Sequence, residues 1–352
     1  MNISGRLLEK FAETLVINKS ACVRMRHKNA ACTKCIDVCP SGAISIGKVG
    51  GRISIDWAIC RDCRLCSSVC PTSVFVPRTH DRTKLYEETA EMIRKKGSVE
   101  FRCREAEKDK NGESVRVESC GAVNLSTLLW AASRGAERIH LHTGDCGECD
   151  IKLCSELFSD TAGELEKIYA EADKNLPQLS LGNAPLETTE GAETNEKPKG
   201  LKERLAASNE RYSRREFMGL FKKRAKETLG ETLVYINESE SKSTQLSQRE
   251  AAKSSRRLFV ESLHKVVPEG TSIDTVGMEH LNSVEIDQDK CKTCGVCSRL
   301  CPTEALTEER DTVKGRSVCT GITVNSAYCV GCGLCKMGCF YDAVSHTDRL
   351  HL

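Results

Sequence analysis

Cysteine is the residue type here with the most chemistry to offer: there are 22 in a chain of 352 residues, and most stand at fixed spacing. Cys291, Cys294, Cys297 and Cys301, followed by Pro302, form a C-x2-C-x2-C-x3-C-P run. Three thiolates two residues apart on one tight loop wrap a cubane iron–sulfur cluster, and the fourth reaches across to a neighbouring cluster. The run recurs at Cys60, Cys63, Cys66 and Cys70 before Pro71, and at Cys329, Cys332, Cys335 and Cys339 with Phe340 in place of the proline. An altered copy is Cys32, Cys35 and Cys39 before Pro40, whose missing first thiol falls to Cys22. Crossed ligation then predicts four [4Fe–4S] clusters. Their ligand sets are Cys22/Cys32/Cys35/Cys70, Cys60/Cys63/Cys66/Cys39, Cys291/Cys294/Cys297/Cys339 and Cys329/Cys332/Cys335/Cys301. Cys319 lies outside every run and reads as a buried thiol.

Two other chemistries use many cysteines. A disulfide framework belongs to small exported chains, whereas the N-terminal MNISGRLLEKFAETLVI carries charges where an export signal needs an unbroken apolar core. Structural zinc also uses paired C-x2-C motifs, but it has no need of a third cysteine at x2 and a fourth at x3 before proline. The formal charge of +2 gives no global electrostatic case for nucleic acid. No run of about 18 apolar residues is present to span a membrane. The expected setting is cytoplasmic. Only 39% of the residues are hydrophobic and 5% aromatic, which predicts small cores, with metal binding adding to the folding free energy.

The fold class expected is α+β: ferredoxin-like iron–sulfur modules flanking a small parallel α/β domain. In residues 1–79 the apolar stretches Thr14–Ile17, Ala43–Ile46, Arg52–Asp56 and Ser73–Val76 read as strands around the two ligand loops. In residues 283–352, Val284–Asp287 and Ile322–Val324 lead into the corresponding loops. Strand, ligand loop, helix and strand, twice over, resembles the two-cluster bacterial ferredoxins at both ends. The first module departs between Cys22 and Cys32. Nine residues there, among them Arg24, Arg26, His27 and Lys28, replace the usual two and form either a solvated insertion or a basic docking loop.

Residues 80–180 change character. A helix is expected over Lys84–Lys95, strands over Ser98–Arg102, Ser114–Glu118 and Arg138–His142, and helices over Leu125–Ser133 and Leu157–Ala172. Alternating strands and helices predict a parallel sheet. Cys103, Cys120 and the Cys146/Cys149 pair each follow a strand, with Cys154 one turn into the next helix, so five thiols should gather at the carboxyl edge. The segment resembles the delta (iron–sulfur) subunit of methyl-viologen-reducing hydrogenases. The likeness is carried by Cys120-Gly121, Arg134-Gly135-Ala136 and Gly144-Asp145-Cys146-Gly147-Glu148-Cys149. It implies a [2Fe–2S] cluster on four of the five cysteines and electron transfer from hydrogenase-type partners to heterodisulfide-reductase-type flavoproteins. The alternative for the five cysteines is a set of buried structural thiols.

Residues 181–282 read as a linker. The stretch 181–212 is rich in Glu, Thr, Gly and Pro and has little to bury. A basic amphipathic helix around Arg214–Lys226 either lies on a membrane or partner surface or packs on the C-terminal domain. A polar helix follows over Ser247–Val266. No dinucleotide loop, Walker A motif or C-x3-C-x2-C run is present, so no catalytic or nucleotide-binding residue is assigned. The reading is a polyferredoxin-type electron-transfer subunit whose partners are redox proteins such as hydrogenase, flavoprotein or reductase subunits. The competing reading is a catalytic oxidoreductase with a substrate site at the middle-domain cysteines and His142.

Overall fold

The computed structural model describes residues 14–47, 53–77, 79–107, 114–151, 153–182, 248–313 and 315–352. The basic helix expected around residues 214–226 and most of the expected linker lie outside them.

In the first module, β1 (Leu15–Ile17) and β4 (Phe75–Pro77) pair antiparallel, as do β2 (Ile44–Ile46) and β3 (Ile53–Ile55). Short helices α1 (Val23–Arg26), α2 (Lys34–Asp37) and α3 (Leu65–Ser68) lie between the paired strands. The strands are three residues long and Ile44, Ile53, Ile55 and Phe75 turn inward from them, so cysteine sulfur supplies much of the remaining core.

The middle segment runs α4 (Thr79–Lys96), β5 (Ser98–Cys103), β6 (Val115–Val117), α5 (Leu125–Ala132), β7 (Arg138–His142), α6 (Leu153–Glu171) and β8 (Gln178–Gly182). The four strands form one parallel sheet in the order β6-β5-β7-β8. Asn124 caps α5 by accepting the Thr127 N–H at 3.2 Å. Strand β8 was not expected, and it carries the sheet two residues past position 180. Its burial is only partial, which is why its weak apolar alternation reads as the start of a polar stretch.

Helix α7 (Gln248–Val266) leads to β9 (Ser272–Asp274) and then to the second module. That module consists of β10 (Ser283–Ile286), α8 (Val296–Leu300), β11 (Leu306–Val313), β12 (Arg316–Val324), α9 (Leu334–Met337) and β13 (Val344–Thr347). It repeats the pairing of first strand with last and second with third. The β11–β12 hairpin, eight and nine residues long, far exceeds its counterpart. Strand β14 (Arg349–His351) pairs with β9 outside the repeat.

The expectation of small cores is corrected. One apolar cluster runs from Val38 and Leu65 of the first module, through Phe101, Leu128 and Leu141 of the middle sheet, to Phe259 and Leu263 of α7 and Ala327 and Leu350 near the C-terminus. Helix α7 lies within the stretch read as linker, yet it packs on α5.

Candidate metal centres

The thiolate loops share a backbone signature. In the Cys60 loop, Asp62 and Arg64 have φ of 51° and 63°. The equivalent residues are Thr293 and Gly295 (48° and 70°) in the Cys291 loop and Gly331 and Gly333 (62° and 72°) in the Cys329 loop. A left-handed residue on each side of the second cysteine folds the loop back on itself. The second of them starts a one-turn helix, α3, α8 or α9, that carries the third cysteine. The third residue after each fourth cysteine is left-handed too: Gly42, Ser73, Glu304 and Asp342, at 63°, 52°, 62° and 48°. Left-handed backbone costs an ordinary L-residue about 1–2 kcal/mol. Arg64 offsets this with a bond from Nη1 to the Thr14 carbonyl at 2.8 Å and an ion pair with Asp62.

The altered copy lacks the signature. Thr33, between Cys32 and Cys35, has φ of −125°, and Cys22 caps α1 from outside that loop. Even so, the chain brings Cys22 back. Burial raises the Cys35 thiol to about 12, helped by the nearby Cys70, Cys32 and Cys22 sulfurs. Burial also pushes Cys66 well above its ordinary value, with Cys63, Cys60 and Cys39 adding to it. In the C-terminal module one small cavity is lined by Cys291, Cys294, Cys297 and Cys339, and another by Cys301, Cys329, Cys332 and Cys335. Each loop therefore gathers with the fourth cysteine of its sister loop. Among the described residues, no group of three or more His, Cys, Asp or Glu side chains closes on a single metal ion. The donor sets are all-sulfur and surround a space, which suits a polynuclear iron–sulfur core.

Backbone N–H groups point at several sulfurs. Val74 N donates to Cys70 Sγ at 3.3 Å, and its counterpart Ala343 N donates to Cys339 Sγ at 3.4 Å. A hydroxyl two residues after the fourth cysteine also recurs: Ser41, Thr72 and Thr303 lie 3.8, 3.8 and 3.6 Å from Cys39, Cys70 and Cys301 Sγ. Sequence reasoning missed these hydroxyls, although Cys-Pro-Ser/Thr stands in the chain three times.

The middle domain assembles its five cysteines at the carboxyl edge of the sheet. Cys103 ends β5, Cys120 opens a single 3-10 turn after β6, Cys146 and Cys149 follow β7, and Cys154 sits in the first turn of α6. Cys103 and Cys120 share a hydrogen bond that draws Cys103 down and, with burial, pushes Cys120 up. Cys120 feels Cys146 and Cys154, Cys149 feels Cys103 and Cys146, and Cys154 feels Cys149 and Cys103. All five are brought together. His142 is 4% exposed, and its Nε2 lies 2.6 Å from Glu100 Oε2 in the neighbouring strand. Its hydrogen-bonding capacity is turned along the sheet toward Glu100.

Two junctions join these sites. At the first, Ser119 Oγ donates to the Cys63 carbonyl at 2.7 Å and Ser68 Oγ to the Gly121 carbonyl at 2.6 Å. Burial raises Cys63 to about 12, and its neighbouring sulfurs include Cys154 as well as Cys39 and Cys60. A side chain at Gly121 would strike Leu65, so the Cys120-Gly121 pair is a requirement of close approach. At the second junction, Val23, Ala30 and Leu334 form a separate apolar cluster with Cys32 and Cys332 packed against it. Arg26 Nη1 donates to the Leu300 carbonyl at 3.1 Å, and Lys34 pairs with Glu279 at 2.9 Å. The insertion between Cys22 and Cys32 is therefore no solvated loop; it docks the first module on the second. Cys319, expected to be buried, is partly exposed on β12, where its thiol donates to the Gly321 carbonyl at 3.3 Å.

Residues 30–74 match the model of a 4Fe-4S dicluster domain and residues 284–307 that of a 4Fe-4S binding domain. Both ends of the chain are ferredoxin-type iron–sulfur domains. They indicate an iron–sulfur electron-transfer protein. A curated relative is the isethionate sulfite-lyase activating enzyme of Nitratidesulfovibrio vulgaris (strain Hildenborough), 38% identical over 63 residues. The shared stretch is 18% of this chain and 19% of that enzyme. Among the described residues no helix is long and apolar enough to cross a membrane.

Proposed function

We propose that the chain is a multi-site electron-transfer subunit of an anaerobic oxidoreductase complex of the hydrogenase or heterodisulfide-reductase type. It would hold four [4Fe–4S] clusters on the crossed cysteine sets of its end modules and one [2Fe–2S] cluster on four of Cys103, Cys120, Cys146, Cys149 and Cys154. Such clusters, when bound, carry single electrons. The observation that carries this reading is that the five cysteine sites are contiguous. The Cys291 site shares its module with the Cys301/Cys329/Cys332/Cys335 site, which meets the Cys22/Cys32/Cys35/Cys70 site across Val23, Ala30 and Leu334. The sister site on Cys39/Cys60/Cys63/Cys66 meets the middle domain at Cys63 and Cys154. The chain's own residues keep these sites packed, exclude water from the junctions and direct backbone N–H groups at the sulfurs.

The test is anaerobic purification with metal analysis and EPR. The expected result is about sixteen irons in the end modules, plus a separate signal from the middle domain. Iron near half that number, with zinc making up the balance, would overturn the assignment for one module.

A further inference from the structure

Arg256 lies on α7 where that helix meets the second module. Its guanidinium donates to the His280 carbonyl at 3.1 Å, to the Ala327 carbonyl at 2.7 Å and to the Cys329 carbonyl at 2.8 Å. It stacks on Phe259, 4.4 Å from the ring centroid. Nε is enclosed without a partner. Carbonyl dipoles solvate a cation but do not neutralise it, and a charge partly withdrawn from water is stabilised by a counter-charge. A guanidinium is cationic at neutral pH. Among the described residues its hydrogen-bond partners are backbone carbonyls and not carboxylates, and one of those carbonyls belongs to Cys329. Cys329 shares a cavity with Cys301, Cys332 and Cys335, and four thiolates round an iron–sulfur core leave that site net negative.

We propose that Arg256 is the counter-charge of the Cys301/Cys329/Cys332/Cys335 site and raises its reduction potential. This rests on the iron–sulfur reading given above. Arg256 is a positioning and tuning residue, not a ligand. Reduction adds one electron, supplied by a one-electron reductant such as dithionite or a redox protein partner; no bond forms or breaks and no proton has to move. The reduced site is one charge more negative, so a fixed cation in a medium of low dielectric stabilises it more than the oxidised site. The same site faces the junction with the first module, so raising its potential would make it a place where the electron rests between the two modules.

The experiment is an EPR-monitored redox titration, with iron analysis, of the full chain purified anaerobically. The variants are Arg256→Met, Arg256→Lys and, as a control, the exposed Arg257→Met. The midpoint of one signal should fall in the Met variant, stay near the parent value in the Lys variant, and be unchanged in the control. If the Met variant sheds the iron of that site while the Lys variant keeps it, the same dependence on charge is read from metal content. Retained iron with an unmoved midpoint in the Met variant would overturn the proposal. So would equal shifts, or equal iron losses, in the Met and Lys variants, because the role would then belong to the shape of the guanidinium fork. A parent chain without iron in the second module would overturn the iron–sulfur reading itself, and this assignment with it.

Discussion

A left-handed residue on each side of the second cysteine is the smallest unit of these sites, and its energetic demand differs with the surroundings. At Gly331 (φ 62°) an added Cβ would lie 2.5 Å from Asn282 Cγ, whereas at Gly42 (φ 63°) it would meet nothing within 4 Å. Both alanine substitutions incur the backbone penalty of about 1–2 kcal/mol, and only Gly331→Ala adds a clash. Gly331→Ala should therefore lower the denaturation midpoint of the iron-loaded chain clearly more than Gly42→Ala; equal shifts would mean that Asn282 moves aside freely. Cys22 makes a second residue-scale case. It stands outside its loop, yet it is 7% exposed and near Cys35. Cys22→Ala should lose one cluster, or convert it to a three-iron form, with the others intact. Unchanged iron and EPR in that variant would assign the ligand elsewhere.

Elements meet here through buried polar contacts as well as apolar ones. Glu164, on α6, accepts the Glu279 N–H at 3.0 Å and faces His280 Nδ1 at 3.1 Å, which ties the middle domain to the segment leading into β10. Burial would raise this carboxyl, but His280 and the two backbone N–H groups outweigh it and hold it below its ordinary value of 4.5. A depressed folded pKa means that the carboxylate's contribution is complete above the unfolded value and is lost as pH falls through the lower folded one. Glu164→Gln should thus cost about 2 kcal/mol at neutral pH and make the acid limb of the stability curve shallower. A variant with the parent's acid limb would show that another group carries it. Strand β8 and all of the β11–β12 hairpin except the expected Ile322–Val324 end of β12 were illegible in the sequence for a shared reason: the hairpin is mostly exposed along its length and β8 only partly buried, so neither needs a strong apolar alternation.

Across the whole molecule, ligand spacing was the most legible feature, because loop geometry dictates it one residue at a time. The gathering of Cys103, Cys120, Cys146, Cys149 and Cys154 was legible once the parallel sheet was, since parallel strands end on one edge. The docking of modules was not. An apolar stripe such as Phe259 and Leu263 records that a helix face is buried, not what buries it. Arg26 reads as a surface charge until Leu300 is seen beside it. At this scale we propose the middle domain as a port: Cys146 and Cys149 keep partial exposure there, as several end-module cysteines and the exposed Cys294 do, whereas Cys63 and Cys154 are closed off. Cys146→Ser combined with Cys149→Ser should abolish the middle-domain EPR signal and uncouple the chain from its partner, while the end-module clusters remain reducible by dithionite. A full set of signals in the double variant would leave the middle domain an inert spacer.

The closed junction at Ser119 and Cys63 also constrains biogenesis. Cys63 and Cys154 are each less than a tenth exposed, so in the iron–sulfur reading proposed above a carrier delivering iron and sulfide would meet them only before the junction closes. On that reading, maturation would run in a sequence, with cluster delivery preceding closure. An apo-chain that has already closed should take up iron poorly, and should take it up better in mild urea, if the junction opens at lower urea than the sheet unfolds. A folded apo-chain that fills completely in plain buffer would show that the junction breathes fast enough for insertion to come last.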